Sequence, residues 1–402
     1  MDFAQSSQKP AKAGANADVP CRTRTPAYTI PALMQVIADD AIFACEALVQ
    51  ARLPEGVSLL RLPGREIADA DLSECVALLT RTVTKVDAAL LERAPELRVV
   101  ASASAGFDHV DRSALEARGV HFANAPGCNA LAVAQWVCAA WTELLARPEH
   151  VQRGGACVGI VGHGEVGRRA AACLRALGHE VLVCDPPKAR AGECPEHRSL
   201  DELLERCDAL SLHVPLSREG EDSTWGLVSA SRAEAFLARG CALINTSRGE
   251  VLELPASIPE GSMMILDVWP DEPDLPWAWL ASAVATERLW VSPHIAGYSA
   301  EAKLRGASMA IDAVAEHMGW GGEAPSVDLP APRSRSPRAL FELTARGEDH
   351  ERMVAAAVGP DPAGAFTALR RSYAHRREFA AYRRHFAADG PLAGFSKLLD
   401  VK

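Results

Sequence analysis

Short apolar runs recur along most of this chain, separated by longer segments whose apolar positions return every three or four residues. The runs MQVIA (34–38), VSLLRL (57–62), CVALLTR (75–81) and LRVVASAS (97–104) read as strands, and VHFANAPG (120–127) continues the set. Ile42–Ala51 reads as a helix between the first two. Asn129–Leu145 is apolar on nearly every side, which predicts a buried helix, a spine between two domains. Further strands follow at CVGIV (157–161), VLVC (181–184), CALIN (241–245), MMILDVW (263–269) and LWVSPH (289–294), and LDELLERCDALSLHVPL (200–216) reads as helix then strand. Strands alternating with helices predict parallel sheets, whose ligands lie beyond the carboxyl ends of the strands. Residues 1–30, rich in Ala, Ser, Gln and Pro without sustained periodicity, are expected to be a disordered extension.

The strand at 157–161 runs into Gly162, Gly164 and Gly167 in G-x-G-x-x-G spacing. A periodic helix follows (Ala170, Ala171, Leu174, Leu177), stops at Gly178, and a second strand ends on Asp185. This is the full context of a dinucleotide fingerprint. Gly162 permits the turn, Gly164 lets backbone approach a pyrophosphate, and Gly167 lets helix and strand pack closely. An acidic residue at 185 accepts hydrogen bonds from ribose hydroxyls and repels a 2′-phosphate, so the pattern favours NAD over NADP.

Composition narrows the class without changing it. At 402 residues the chain has room for two or three domains, and its 48% hydrophobic and 23% charged content is ordinary for a globular protein. A net charge of −10 argues against a nucleic-acid or anionic-membrane partner. No uninterrupted apolar run is long enough to span a bilayer. The 11 cysteines lack C-x-x-C spacing, which points to a reducing cytoplasm and no structural metal.

Three consecutive strands deliver Arg248, Glu272 and His294 just past their carboxyl ends. Taken singly, each has an ordinary explanation: a surface ion pair, a solvated turn residue, a satisfied core histidine. Together, downstream of a dinucleotide fingerprint, they suit hydride transfer at a 2-hydroxy acid. His294 would take the hydroxyl proton, Glu272 would orient the imidazole, and the Arg248 fork would hold the carboxylate. Two loops in the first half, 81–85 and 102–106, bring hydroxyls, glycine and cations to strand ends and suit a carboxylate or phosphate.

At these residues the chain resembles the D-isomer-specific 2-hydroxyacid dehydrogenases. The matching stretches include RTVTKVD (81–87), SASAGFDHVD (102–111), APGCNALAV (125–133), GIVGHGEVGRR (159–169), INTSRGEV (244–251), LDVWPDEP (266–273) and SPHIAGYSAEAKLRGA (292–307). Similarity covers about residues 32–325, with a weaker echo in ALRRSYAHRREFAAY (368–382). The resemblance implies an α/β protein with a Rossmann-type doubly wound NAD-binding domain (132–298) inserted in a flavodoxin-like substrate-binding domain (31–131 and 299–328). It adds a small α+β C-terminal domain (329–402) that makes a homodimer, joined through PRSRSP (332–337). It implies catalytic roles for Arg248, Glu272 and His294, and NAD contacts from Gly162, Gly164, Glu165, Val166, Gly167, Asp185, Val214, Thr246, Ser247, Asp267 and Gly297. Thr82, Ser104 and Tyr298 fall on substrate contacts, and Arg81, Lys85 and the C-terminal arginines are candidates for a phosphate.

The narrower branch suggested by APGCNA, CDPP (184–187) and the HIAGYS stretch oxidises 4-phospho-D-erythronate to 2-oxo-3-hydroxy-4-phosphobutanoate, toward pyridoxal 5′-phosphate. Another substrate of the same class, such as phosphoglycerate or hydroxypyruvate, is one alternative; a non-catalytic NAD-sensing regulator is another. One departure stands out. The segment between Arg248 and Asp267 is short and carries Pro255 and Pro259, which disfavours a helix where relatives place one.

Overall fold

A computed structural model describes residues 34–146, 156–332, 337–344, 346–373 and 375–402. The N-terminal extension and most of the 332–337 linker lie outside the described residues.

The chain builds two parallel sheets. The first contains β1 (Met34–Asp39), β2 (Val57–Leu62), β3 (Cys75–Thr80), β4 (Val99–Ser102) and β5 (His121–Ala123) in the order β2-β1-β3-β4-β5, the flavodoxin-like arrangement. The second contains β6 (Cys157–Val161), β7 (Glu180–Cys184), β8 (Ala209–Leu212), β9 (Ala242–Asn245), β10 (Met263–Leu266) and β11 (Leu289–Val291) in the order β11-β10-β9-β8-β6-β7. A parallel bridge between Val183 and His197 stands outside β7, where a Rossmann sheet has its third strand. Central strands of both sheets are buried on both faces, which is why they read as continuous apolar runs rather than alternating ones.

The spine helix forms over Ala130–Leu145, and 12 of its 16 residues are buried. Its one buried amide, Gln135, accepts a hydrogen bond from the Phe379 backbone N–H at 3.0 Å. The helix expected at Ile42–Ala51 begins only at Cys45, because Ala44 adopts left-handed geometry (φ 52°) and breaks the turn before it. No α-helix forms between Arg248 and Asp267, as the two prolines require; a single 3₁₀ turn (Gly249–Val251) leads into extended chain.

The C-terminal region corrects the α+β expectation. Among its described residues there are only helices and 3₁₀ turns, apart from an isolated bridge between Ser299 and Arg376. The sequence there offers no alternating apolar run of strand length. Its apolar side chains enter the cores of the second sheet: Leu340, Leu343, Phe379, Tyr382 and Phe386 on one face, Met353 and Phe366 on the other.

Arg376 explains much of that docking. It is 2% exposed, and its guanidinium donates to the carbonyls of Ala132 (2.9 Å), Ile295 (3.1 Å) and Ala296. It thus ties the C-terminal segment to the spine helix and to the loop after β11. Arg376→Met would remove the guanidinium donor from three buried carbonyls, of which Ile295 keeps the Tyr298 N–H, at a cost of about 1–3 kcal/mol for each carbonyl left unsatisfied. The expected result is a thermal-unfolding midpoint lower by several degrees; an unchanged midpoint by calorimetry would show that the anchor is dispensable.

Candidate active site

The cleft lies between the carboxyl edges of the two sheets, and its chemistry comes from loops that other buried groups hold in place. Asp267, at the end of β10, is 1% exposed. Its carboxylate accepts from the Ser292 hydroxyl (2.5 Å) and from the backbone N–H groups of Ile295 (2.8 Å) and Ala296 (2.9 Å). Between those anchors sits His294, whose φ of 56° is a left-handed conformation that only such surrounding bonds sustain. Arg376 grips the carbonyls of the same loop from the other side.

The His294 Nδ1 lies 2.8 and 3.1 Å from the two carboxylate oxygens of Glu272. A carboxylate only accepts, so Nδ1 carries a proton, and in the neutral imidazole Nε2 keeps a free lone pair. Glu272 also accepts from the Trp269 N–H (3.1 Å) and from Arg370 Nη1 (3.1 Å). Burial alone would raise its carboxyl, but the His294 and Arg370 charges and the Trp269 N–H outweigh it and hold it below the usual range.

Arg248 follows β9 and reaches across to the first domain. Its Nη2 and Nε lie 2.8 and 3.3 Å from one Asp108 oxygen, and Nη1 donates to the Ser247 carbonyl. The guanidinium thus already engages a carboxylate across the cleft, the type of contact a 2-hydroxy acid requires. Gly106 makes room for it: a Cβ there would stand 2.5 Å from Arg248 Nη2.

The glycine-rich turn fits a dinucleotide. Gly162 has φ 90°, and a side chain at Gly167 would collide with the Gly162 carbonyl, whereas Gly164 faces open space. The helix Glu165–Ala176 starts there without a side-chain cap, leaving its first N–H groups for a pyrophosphate. Asp185 holds the turn by accepting from the His163 N–H (2.7 Å) and the Lys188 N–H (3.0 Å). Val166 and Val214 are half-buried beside the turn, Glu165 is exposed, and the Arg168 and Arg169 guanidinium groups hold the Glu165 carboxyl down at about 2. Ser247 is buried and bonded to Asn245, and Thr246 bonds His213 at 3.2 Å. Gly297 packs against Asn129. His213 is absent from the sequence-derived set; burial pushes its imidazole down to about 3, so it is a neutral wall of the crevice.

On the substrate side, Ser104 bonds Ser102 (2.7 Å) and the Gly106 carbonyl (2.9 Å), while Thr82 stands exposed on the loop after β3. Arg81 is paired with Asp39, and Tyr298 lies beside Lys303 and Arg370. The other phosphate candidates lie elsewhere. Lys85 pairs with Asp87 at the surface, Arg377 pairs with Glu301, Arg371, Arg383 and Arg384 are exposed, and Arg376 is spent on carbonyls. Lys303 was missed by sequence reasoning although it sits inside the SPHIAGYSAEAKLRGA stretch. Among the described residues no cluster of His, Cys, Asp and Glu could hold a metal, and no helix is long and apolar enough to cross a membrane.

Comparison with known proteins bears on the family and the fold. The family model "D-isomer specific 2-hydroxyacid dehydrogenase, catalytic domain" matches residues 46–326. An erythronate-4-phosphate dehydrogenase of Salinibacter ruber is 40% identical over 380 residues, covering 86% of this chain and 92% of the relative. One from Shewanella loihica is 36% identical over 369 residues, covering 87% and 94%. The NAD⁺-bound 3-phosphoglycerate dehydrogenase of Entamoeba histolytica shares the fold, with a TM-score of 0.57 and 20% identity over 72% of this chain and 96% of that one.

Proposed function

The chain belongs to the D-isomer specific 2-hydroxyacid dehydrogenase family and is an NAD-dependent enzyme, and from that premise we propose that it oxidises 4-phospho-D-erythronate at C2 to 2-oxo-3-hydroxy-4-phosphobutanoate, a step toward pyridoxal 5′-phosphate. The observation that carries this reading is the Glu272–His294 pair at 2.8 Å with its Nε2 free, in a cleft that Arg248 also borders. The relatives' names supply the substrate.

In this mechanism the Arg248 fork exchanges Asp108 for the substrate carboxylate and polarises the C2 oxygen. Nε2 of His294 then takes the C2 hydroxyl proton, and the Glu272 carboxylate at Nδ1 stabilises the imidazolium that forms. Bound NAD supplies the hydride acceptor. Gly162, Gly164 and Gly167 would receive its pyrophosphate, Asp185 its ribose, and Val166, Val214, Thr246, Ser247, Asp267 and Gly297 line its crevice. Ser104, Thr82 and Tyr298 would face the substrate. The reading includes a homodimer through residues 329–402, working in the cytoplasm; sedimentation of the purified chain at one protomer mass would remove the dimer from it.

Asp185 sets the choice of cofactor in this account. Asp185→Ser should lower kcat/KM with NAD by about tenfold to a hundredfold, the worth of a lost charge-assisted hydrogen bond. Activity with NADP should fall less or rise, since the repelling charge is gone. Steady-state kinetics with both cofactors test this, and an unchanged NAD/NADP ratio would exclude Asp185 from the ribose site.

A further inference from the structure

Three cations gather around Tyr298, with too little negative charge beside them. Lys303 Nζ lies 3.6 Å from the ring centroid, and Arg370, from the helix Pro362–Arg371, lies close enough to act on the Tyr298 hydroxyl. Arg81 lies near enough to act on both Tyr298 and Lys303. Asp39 answers Arg81, and Glu272 is shared between Arg370 and His294. Among the described residues no carboxylate lies within ion-pair reach of Lys303. The Arg370 Nε is likewise buried without a hydrogen-bond partner there.

Fold stability does not account for this arrangement. Lys303 occupies the first turn of the helix Ala300–Met318, where the macrodipole disfavours a cation. Burial and the neighbouring arginines push its ammonium below the usual lysine range. The Tyr298 hydroxyl, which burial alone would push up, is instead held down by Lys303 and Arg370. A cleft wall that concentrates positive charge against local preference is built for an anion.

We propose that Lys303 and Arg370, gathered around Tyr298, hold the phosphate of the phosphorylated 2-hydroxy acid. This assignment rests on the substrate reading above and deepens it. The links are short: Arg370 touches Glu272, and Glu272 touches His294, so the anion seat lies one side chain beyond the proton-accepting pair. It also gives the C-terminal region a part in the site of its own chain, because Arg370 comes from that region. Arg81, braced by Asp39, completes the positive field.

The test uses the full-length enzyme with Lys303→Met and Lys303→Arg. Lys303→Met should raise KM for 4-phospho-D-erythronate about 10- to 100-fold more than KM for D-erythronate, and weaken competitive inhibition by inorganic phosphate in parallel. Lys303→Arg, which keeps the charge, should recover part of both. Lys303→Met should also raise the thermal-unfolding midpoint, since it removes an uncompensated cation; a purely structural lysine would lower it. Equal KM changes for the two acids, or none, would overturn the assignment. Should the wild-type enzyme not oxidise 4-phospho-D-erythronate, the substrate reading fails while the seat remains testable. Calorimetric titration of inorganic phosphate into the enzyme–NAD complex then decides. Binding that Lys303→Met abolishes supports the seat; binding that the variant leaves unchanged, or none to the wild type, overturns it.

Discussion

Replacing His294 by alanine should lower kcat about 10³- to 10⁴-fold, at the upper end of what one general base contributes, while NAD affinity stays unchanged. The size follows from the geometry: Glu272 keeps its bonds from Arg370 and the Trp269 N–H, but with the imidazole removed the C2 hydroxyl proton must leave to water. His294 has φ 56°, so alanine there meets the left-handed penalty of about 1 kcal/mol. Asparagine adopts that conformation more readily. His294→Asn therefore separates chemistry from backbone: it should be as inactive as the alanine variant while unfolding at the wild-type temperature. Glu272→Gln should be milder in rate and informative in pH. Losing the negative charge at Nδ1 makes the imidazole easier to deprotonate, so the acid limb of the kcat/KM profile should move to lower pH. Substantial turnover by His294→Asn, or an acid limb unmoved in Glu272→Gln, would assign the base elsewhere.

Arg248→Ala should cost about 10²- to 10³-fold in kcat/KM, through both substrate positioning and loss of charge at the C2 oxygen. The guanidinium already grips a carboxylate, Asp108, at 2.8 Å, and the groove left by Gly106 suits its planar head. Lysine should not restore activity, because a point charge on a flexible stem cannot reproduce the fork. Steady-state kinetics of Arg248→Ala and Arg248→Lys check this; recovery to within threefold by lysine would mean that charge alone matters. Asp108→Asn should act in the opposite sense, lowering KM, because the substrate carboxylate then meets less competition for the same guanidinium.

Much of this was legible from residue patterns. The glycine turn, its acid at 185 and the three strand ends could be read because parallel sheets deliver ligand-binding residues to one edge. The alternation of runs and periodic segments placed both sheets. What could not be read depends on distant parts of the chain meeting. Arg376 looks like one basic residue among several, yet its partners are carbonyls of the spine helix and the His294 loop. Lys303 looks like a solvated helix residue until Arg370, far along the chain, is seen to share Tyr298 with it. The C-terminal strands were expected from resemblance, and the described chain forms helices because its apolar positions serve the cores of the second sheet.

The most direct test is to incubate the purified protein with NAD and 4-phospho-D-erythronate and follow absorbance of the reduced nicotinamide, with a 2-oxo acid added in a parallel tube to reoxidise tightly held product. The account predicts turnover that disappears in His294→Asn. Oxidation of 3-phosphoglycerate or glycerate but not of 4-phospho-D-erythronate would contradict the proposed substrate, and silence on all of them with NAD bound would contradict the enzyme itself.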